Sequence, residues 1–149
     1  MLINIDPLLN PKLLSILRSM GHGDRIVLCD ANFPAISLAK RFVRIDGANI
    51  PRTAKAILSV MPLDSFIEYP ALRMEIDGKP DEMNETHKEF IETIKDIAGP
   101  NWKVGSMERF QFYKESKEAF AIIATSDQRP YSCFMMTKGV IKSDGNVWK

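Results

Sequence analysis

Cysteine and histidine are scarce in this chain of 149 residues, which contains two of each. Cys29 and Cys133 form no Cys-x-x-Cys pair and are too few for a disulfide framework, so both are expected to be reduced thiols. His22 and His87 have no spacing typical of metal ligands, and no metal ion is expected. His87 is expected on an exposed helix face. The chain therefore has to fold on its hydrophobic core alone.

An excess of charge of either sign is also missing. Lysine and arginine number 20 and aspartate and glutamate 19, for a net charge of +1. Nucleic-acid binding needs a surplus of positive charge on one face, so no nucleic acid is expected as a partner. No apolar run approaches the ~20 residues of a membrane span, and the first residues lack the basic and apolar regions of a signal peptide. With the reduced cysteines, these absences predict a cytoplasmic protein and no membrane partner.

Length and composition predict a single domain over residues 1–149, in which the polar segment 142–149 is a loose tail. Hydrophobic residues make up 45% of the chain and charged residues 26%, which is ordinary for a globular protein. A domain of this size buries roughly 68–70% of the surface that its unfolded chain exposes. We expect a well-formed core without help from a metal or a disulfide.

Helical and strand patterns alternate along the chain. Helices are expected to begin near Asn10-Pro11, Pro51 and Asn84, and another runs from about Met107 to Lys117. Gly21 is expected to end the first helix in a left-handed conformation. Apolar or alternating segments predict strands at 26–29, 42–45, 72–76, about 103–104, 120–124 and 131–136. The alternation predicts an α/β fold with a mainly parallel sheet flanked by helices.

Two polar groups flank the first predicted strand. His22 lies between two glycines before the strand, and Asp30 follows its last residue. Turns at the two ends could bring the imidazole and the carboxylate into one pocket, where they could move protons on a small polar substrate. Spacing alone also allows a helix-capping turn at His22 and an Asx turn at Asp30. Asp24 could steady His22 or serve only the turn.

Five motifs in one order resemble the L-fucose mutarotase branch of the L-fucose mutarotase/D-ribose pyranase family. The resemblance covers about Asp6 to Ile141. The motifs are Gly21-His22-Gly23-Asp24, Asp30-Ala31-x-Phe33-Pro34, Arg44-x-Asp46-Gly47, Arg109-Phe110-x-Phe112-Tyr113 and Lys138-Gly139-Val140. Each motif alone is weak, and their joint order and spacing make the resemblance specific.

The resemblance implies a cytoplasmic sugar isomerase without metal or cofactor, assembled as a ring-like homo-oligomer (an octamer or decamer) that acts on a free monosaccharide. By motif, it places the proton donor on His22, the sugar-binding acid on Asp30 and the binding arginine on Arg109. The sugar-contacting tripeptide falls on Tyr131-Ser132-Cys133, in which Cys133 replaces the usual Asn. A hydrogen-bonding amide thus becomes a weaker thiol.

The expected function is interconversion of the anomers of L-fucose, or of a related hexose, by general acid/base opening and closing of the ring. This chemistry needs only a positioned acid and base, and histidine exists in both forms near neutral pH. The Gly-His-Gly-Asp motif resembles that of the fucose mutarotases, whereas ribose pyranases have Gly-His-Thr-Asp. The resemblance therefore favours fucose over ribose. A D-ribose pyranase and a non-catalytic monosaccharide-binding protein are the alternatives, and the Cys133 substitution keeps the second open. Phe110 and Phe112 are expected in the core, and Tyr113 could face either core or sugar.

Overall fold

The computed structural model describes residues 1–149 and contains a six-stranded sheet with five helices. The helices are α1 (Pro11–Ser19), α2 (Ala35–Leu38), α3 (Ile50–Leu58), α4 (Glu85–Ala98) and α5 (Arg109–Glu118). The strands are β1 (Arg25–Cys29), β2 (Phe42–Arg44), β3 (Ala71–Met74), β4 (Val104–Met107), β5 (Ala121–Ala124) and β6 (Phe134–Thr137).

The strands are ordered β2-β5-β1-β6-β3-β4 across the sheet. Three neighbouring pairs are parallel, namely β2 with β5, β5 with β1 and β3 with β4. Strand β6 is antiparallel to both β1 and β3. Five strands therefore run in one direction, and the predicted mainly parallel α/β sheet is confirmed. The carboxyl ends of those five strands meet at one edge, which is where ligands bind in open α/β sheets.

Helices cover both faces of the sheet. Alternation along β1 sends Ile26 and Leu28 into a cluster of 24 buried residues shared with α1, α3 and α4. Val27 and Cys29 point the other way, into a cluster of 11 buried residues shared with α2 and α5. The strand is thus apolar on both sides, as its unbroken apolar run predicted.

Asparagine caps begin three of the helices. The side chains of Asn10, Asn49 and Asn84 each accept a hydrogen bond from a backbone N–H in the first turn of α1, α3 and α4. A proline also occupies the first turn of α1 and of α3, where its missing N–H costs nothing. These local signals explain why the helix starts were readable from the sequence.

Several predicted boundaries were wrong. Strand β3 ends at Met74 and does not reach residue 76, and β4 runs to Met107. Met107 ends strand β4, and α5 begins two residues later because Glu108 caps it by accepting from the N–H groups of Phe110 and Gln111. The last strand begins at Phe134 and not at Tyr131, whose φ of 57° is incompatible with extended backbone.

The polar tail folds back as a small hairpin. Ile141 forms a β-bridge with Val147, and the N–H of Trp148 donates to the carbonyl of Val140 at 2.9 Å. The mobility of residues 142–149 stays a prediction. In the fold as a whole, none of the five helices has the length and apolar character that crossing a membrane requires.

Candidate functional site

A pocket of about 250 Å³ lies at the edge where the parallel strands end. Its walls come from the turn after β1, the end of β3, the start of α5 and the segment before β6. The lining residues are Asp30, Asn32, Phe33, Met74, Arg109, Tyr113, Pro130, Tyr131 and Cys133. Four of the six predicted site residues therefore lie together in one cavity.

Asp30 is the buried acid of this pocket. Its Oδ1 accepts from the N–H of Asn32 at 2.9 Å, which is an Asx turn. Its Oδ2 accepts from the N–H of Ser132 at 3.2 Å and from the thiol of Cys133 at 3.3 Å. A carboxylate offers about four acceptor sites, so three donors leave room for one hydroxyl of a ligand. The sequence left an Asx turn and ligand binding as alternative roles of Asp30. The structure shows that the two roles are compatible.

Arg109 forms one wall of the pocket from the first residue of α5. Its Nε lies 2.9 Å from Oδ2 of Asp77, and its guanidinium lies 4.4 Å from the ring centre of Phe110. Phe110 is 66% exposed, so the expectation of a core residue there was wrong, whereas Phe112 is fully buried as predicted. Tyr113 lines the pocket and packs at 5.4 Å from the ring of Phe33.

Only two residues of the Tyr131-Ser132-Cys133 tripeptide line the pocket. Tyr131 and Cys133 line the pocket, but Ser132 does not, because its fully buried hydroxyl donates to Oγ1 of Thr86 at 2.9 Å. The predicted contact between a sugar and the Ser132 side chain is therefore corrected. Ser132 instead holds Asp30 in place through its backbone N–H. Burial, with the nearby Asp30 charge, raises the pKa of the Cys133 thiol well above its ordinary value, so the thiol acts as a donor and not as a nucleophile.

His22 lies in a separate region, in the turn between α1 and β1. Gly23 has a φ of 85°, the left-handed conformation that glycine tolerates, and the prediction of such a conformation at Gly21 was wrong. Asp24 serves the turn, since its carboxylate accepts from the N–H of Gly21 at 2.7 Å. The imidazole remains 47% exposed.

Asp64 orients the His22 imidazole. Its Oδ1 lies 3.0 Å from Nε2 of His22 and also accepts from the N–H of Phe66 at 3.0 Å. The Asp64 side chain is only 4% exposed. Because a carboxylate only accepts, the pairing places a proton on Nε2 and leaves Nδ1 as the nitrogen that can exchange a proton with a ligand. An imidazole that is half exposed and held by a buried carboxylate in this way is able to exchange protons with a ligand.

The Lys138-Gly139 segment joins the His22 turn to Asp64. The carbonyl of Lys138 accepts from Gly23, and its N–H donates to Asp24. Its ammonium donates to the carbonyl of Leu17 at 2.9 Å and to that of Met20, at the end of α1. A Cβ on Gly139 would overlap the carbonyl of Leu63 and lie 2.9 Å from the Cα of Asp64. Glycine is therefore required for this close approach.

Within one chain, His22 and Asp30 do not share a pocket, so that expectation is corrected. His22 precedes β1 and Asp30 follows it. The strand has five residues, and at about 3.3 Å per residue its ends are roughly 17 Å apart. A turn at each end of a straight strand cannot bring the two side chains together.

Sequence reasoning missed several residues near His22. Asp64 lies 42 residues away in sequence, and nothing local marks it as the partner of the imidazole. The exposed ring of Phe66 is 5.2 Å from the His22 ring, and Trp148 lies 5.8 Å from Phe66. The chain has no cluster of three or more His, Cys, Asp or Glu side chains that could hold a metal ion.

Known proteins are similar to this chain in sequence. The sequence pattern of the RbsD / FucU transport protein family matches residues 3–141. Fucose mutarotase of Homo sapiens is 39% identical over 143 residues, which cover 92% of this chain and 92% of the human protein.

Solved structures extend the likeness to three dimensions. The fucose mutarotase of Streptococcus pneumoniae in complex with L-fucose has a TM-score of 0.88 and 35% identity, covering 95% of this chain and 100% of that one. RbsD of Bacillus subtilis complexed with D-ribose has a TM-score of 0.71 and 20% identity, with coverage of 95% and 100%, and shows a shared fold.

Proposed function

Since this chain belongs to the RbsD / FucU family, we propose that it is an isomerase that interconverts the anomers of L-fucose. The observation that carries the proposal is the His22 imidazole, held through Nε2 by the buried carboxylate of Asp64 with Nδ1 left for a ligand. A protein that only binds sugar has no need for a histidine prepared in this way.

The chemistry follows from the residues. A fucopyranose ring is a cyclic hemiacetal. In the proposed step, His22 delivers a proton to the ring oxygen while the C1–O5 bond breaks and the anomeric hydroxyl loses its proton to a general base. The aldehyde rotates about the C1–C2 bond and the reverse steps close the ring on its other face. General acid–base catalysis of this kind contributes about 10²–10⁴-fold to the rate.

The Asp30 pocket holds the sugar in this proposal. Asp30 accepts from a sugar hydroxyl through its remaining lone pair, and Arg109 and Tyr131 donate to others. Cys133 keeps Asp30 in place and contacts the sugar through its small side chain. Ser132 contributes its backbone N–H to Asp30.

The distance between His22 and Asp30 supports a site completed by a second copy of the chain. His22 and the neighbouring ring of Phe66 are exposed at one end of β1. The pocket around Asp30 is open to solvent at the other end. We propose a ring-like homo-oligomer, an octamer or decamer, in which one subunit presents His22 to its neighbour's pocket. A cytoplasmic location, without metal or cofactor, belongs to the same proposal.

Mixing two inactive variants tests the shared site. His22→Ala keeps the Asp30 pocket, and Asp30→Asn keeps the histidine. If the residues come from different subunits, co-refolding equal amounts restores up to about a quarter of wild-type exchange, since one of four combinations pairs the intact residues. If one chain supplies both, the mixture stays inactive. A sedimentation coefficient of a 16.9 kDa monomer for the wild type would also contradict the proposal.

Nuclear magnetic resonance measures the exchange between anomers, both for the mixed variants and for identifying the sugar. L-Fucose should show faster exchange between its α and β pyranose signals in the presence of the protein. D-Ribose tests the pyranase alternative through pyranose–furanose exchange. Calorimetric binding of L-fucose without any exchange would favour the non-catalytic alternative and contradict the proposal.

A further inference from the structure

The N-terminus of α4 contacts three consecutive residues of the turn before β6. The side-chain amide of Asn84 donates to the carbonyl of Pro130 at 3.0 Å. His87 pairs with the carbonyl of Tyr131, and Thr86 accepts from the hydroxyl of Ser132. We term this set of contacts the α4 clamp, and none of its three α4 residues, Asn84, Thr86 and His87, lines the pocket.

His87 is the buried centre of the clamp. It is fully inaccessible to solvent, so the expected position on an exposed helix face was wrong. Its Nδ1 accepts from the N–H of Asn84 at 3.3 Å, and its Nε2 lies 3.0 Å from the carbonyl oxygen of Tyr131. Because a carbonyl only accepts, Nε2 carries the proton and the ring is neutral. Phe134 packs edge-on against it at 5.8 Å.

Tyr131 needs such support. Its φ of 57° lies in the left-handed region, which costs free energy for a residue with a side chain. The next residue donates its N–H to Asp30, and the one after that donates its thiol to the same carboxylate. The conformation of Tyr131 therefore decides where two donors of the pocket point.

We propose that His87 is a positioning residue for sugar binding, which holds Tyr131 in its left-handed conformation and thereby fixes the Asp30 pocket from behind. His87 touches no ligand. It acts through the Tyr131 carbonyl, with Thr86 and Asn84 holding the residues on either side. The inference rests on the proposed function, since it concerns the same pocket.

Substitutions at His87 separate positioning from folding. His87→Leu removes both hydrogen bonds, and we expect KM for L-fucose to rise about five- to tenfold, the worth of a buried hydrogen bond, with kcat changed less than about twofold. His87→Gln can accept from Asn84 and donate to Tyr131, so it should restore KM to within about twofold of wild type. Thr86→Val, which removes the acceptor for Ser132, should raise KM in the same direction.

Ile94→Ala is the matched control. Ile94 is buried in α4 about two turns beyond His87 and is not part of the clamp. The control should lose core packing and stability while keeping the wild-type KM. A similar rise in KM in both variants would reduce His87 to a stabilising residue and overturn the inference.

The amide hydrogen exchange rate of Ser132 tests the effect of the α4 clamp in the absence of sugar. Its N–H should exchange about tenfold faster in His87→Leu than in the wild type, and at the wild-type rate in His87→Gln. Unchanged exchange and unchanged KM in His87→Leu overturn the inference. Absence of fucose anomer exchange in the wild type would instead contradict the proposed function, while Ser132 exchange still decides the role of His87.

Discussion

Nε2 of His22 lies 3.0 Å from Oδ1 of Asp64, and the two residues belong to different loops at the same end of the sheet. The imidazole is half exposed and its partner is almost fully buried. A buried carboxylate of this kind fixes both the orientation of the ring and the nitrogen that carries the proton. The remaining nitrogen, Nδ1, forms no hydrogen bond within the chain and is free to exchange a proton.

Asp64→Asn should therefore lower kcat. The neutral amide removes the carboxylate charge that stabilises the imidazolium, the form from which Nδ1 delivers its proton, and its NH2 group can donate to Nε2 only when Nε2 carries no proton. We expect kcat to fall by roughly 10- to 100-fold, within the range of general acid–base catalysis, with KM changed little. Asp24→Asn is the control, because an amide oxygen can still accept from Gly21. Equal kcat in wild type and Asp64→Asn would remove Asp64 from the mechanism.

Gly139→Ala should damage activity and stability together. The added methyl group would overlap the carbonyl of Leu63 beside Asp64. Overpacking of this kind costs about 1–3 kcal/mol, and displacement of Asp64 should lower kcat as well. Gly145→Ala is the comparison for activity: its φ of 83° strains an alanine and costs stability, but nothing lies within 4 Å of the added Cβ, so kcat should stay at the wild-type value. Urea unfolding and the anomer-exchange assay measure both effects, and a Gly139→Ala protein with wild-type kcat would contradict the account.

The cysteines should resist thiol reagents in the folded protein. Both Cys29 and Cys133 are buried, and burial raises the pKa of each thiol above its ordinary value. The reactive thiolate is therefore scarce at pH 8. Ellman's reagent should label neither residue before unfolding and both residues in guanidinium. Rapid labelling of Cys133 in the native protein would show that the thiol is exposed and contradict its role as a buried donor to Asp30.

Stability should fall as the pH drops below about 6.5, because of His87. Burial lowers its pKa from the ordinary value of 6.5, and the nearby Arg73 guanidinium adds to this, against the effect of the Tyr131 carbonyl. Between the folded pKa and 6.5, the unfolded chain binds a proton that the folded chain does not, so the free energy of unfolding decreases as pH falls. Above pH 6.5 both states are neutral and the contribution is constant.

Urea unfolding of wild type and His87→Gln from pH 5 to 7.5 measures this contribution. Glutamine does not titrate, so the variant should lose part of the pH dependence, up to about 1.4 kcal/mol per pH unit. Parallel pH profiles for the two proteins would show that His87 does not titrate differently on folding.

Local sequence signals carried much of the fold. Asn10 and Asn84 located two helix starts, Pro51 located a third, and the apolar segment 26–29 located the central strand. Asp30 and Arg109 were identified through motifs, and the structure places both in one pocket. The direction of β6 was not readable, because a short apolar strand has the same pattern in a parallel and an antiparallel pair.

The residues that contact His22 and His87 could not be predicted from the sequence pattern. Asp64 follows an apolar segment and resembles any polar residue in a loop, so only the folded chain shows that it meets His22. His87 looks like an exposed helix residue, because its partners are backbone groups of Asn84 and Tyr131 that no side-chain pattern reveals. His22 and Asp30 are far apart because the strand β1 between them is extended. The two motifs alone do not show this distance.

Saturation transfer between the H1 resonances of α- and β-L-fucose tests the central claim most directly. With catalytic amounts of the wild type, irradiation of one anomer should reduce the signal of the other, and His22→Ala should return the exchange to the rate of the free sugar. Equal exchange rates for the wild type, His22→Ala and buffer would contradict the account.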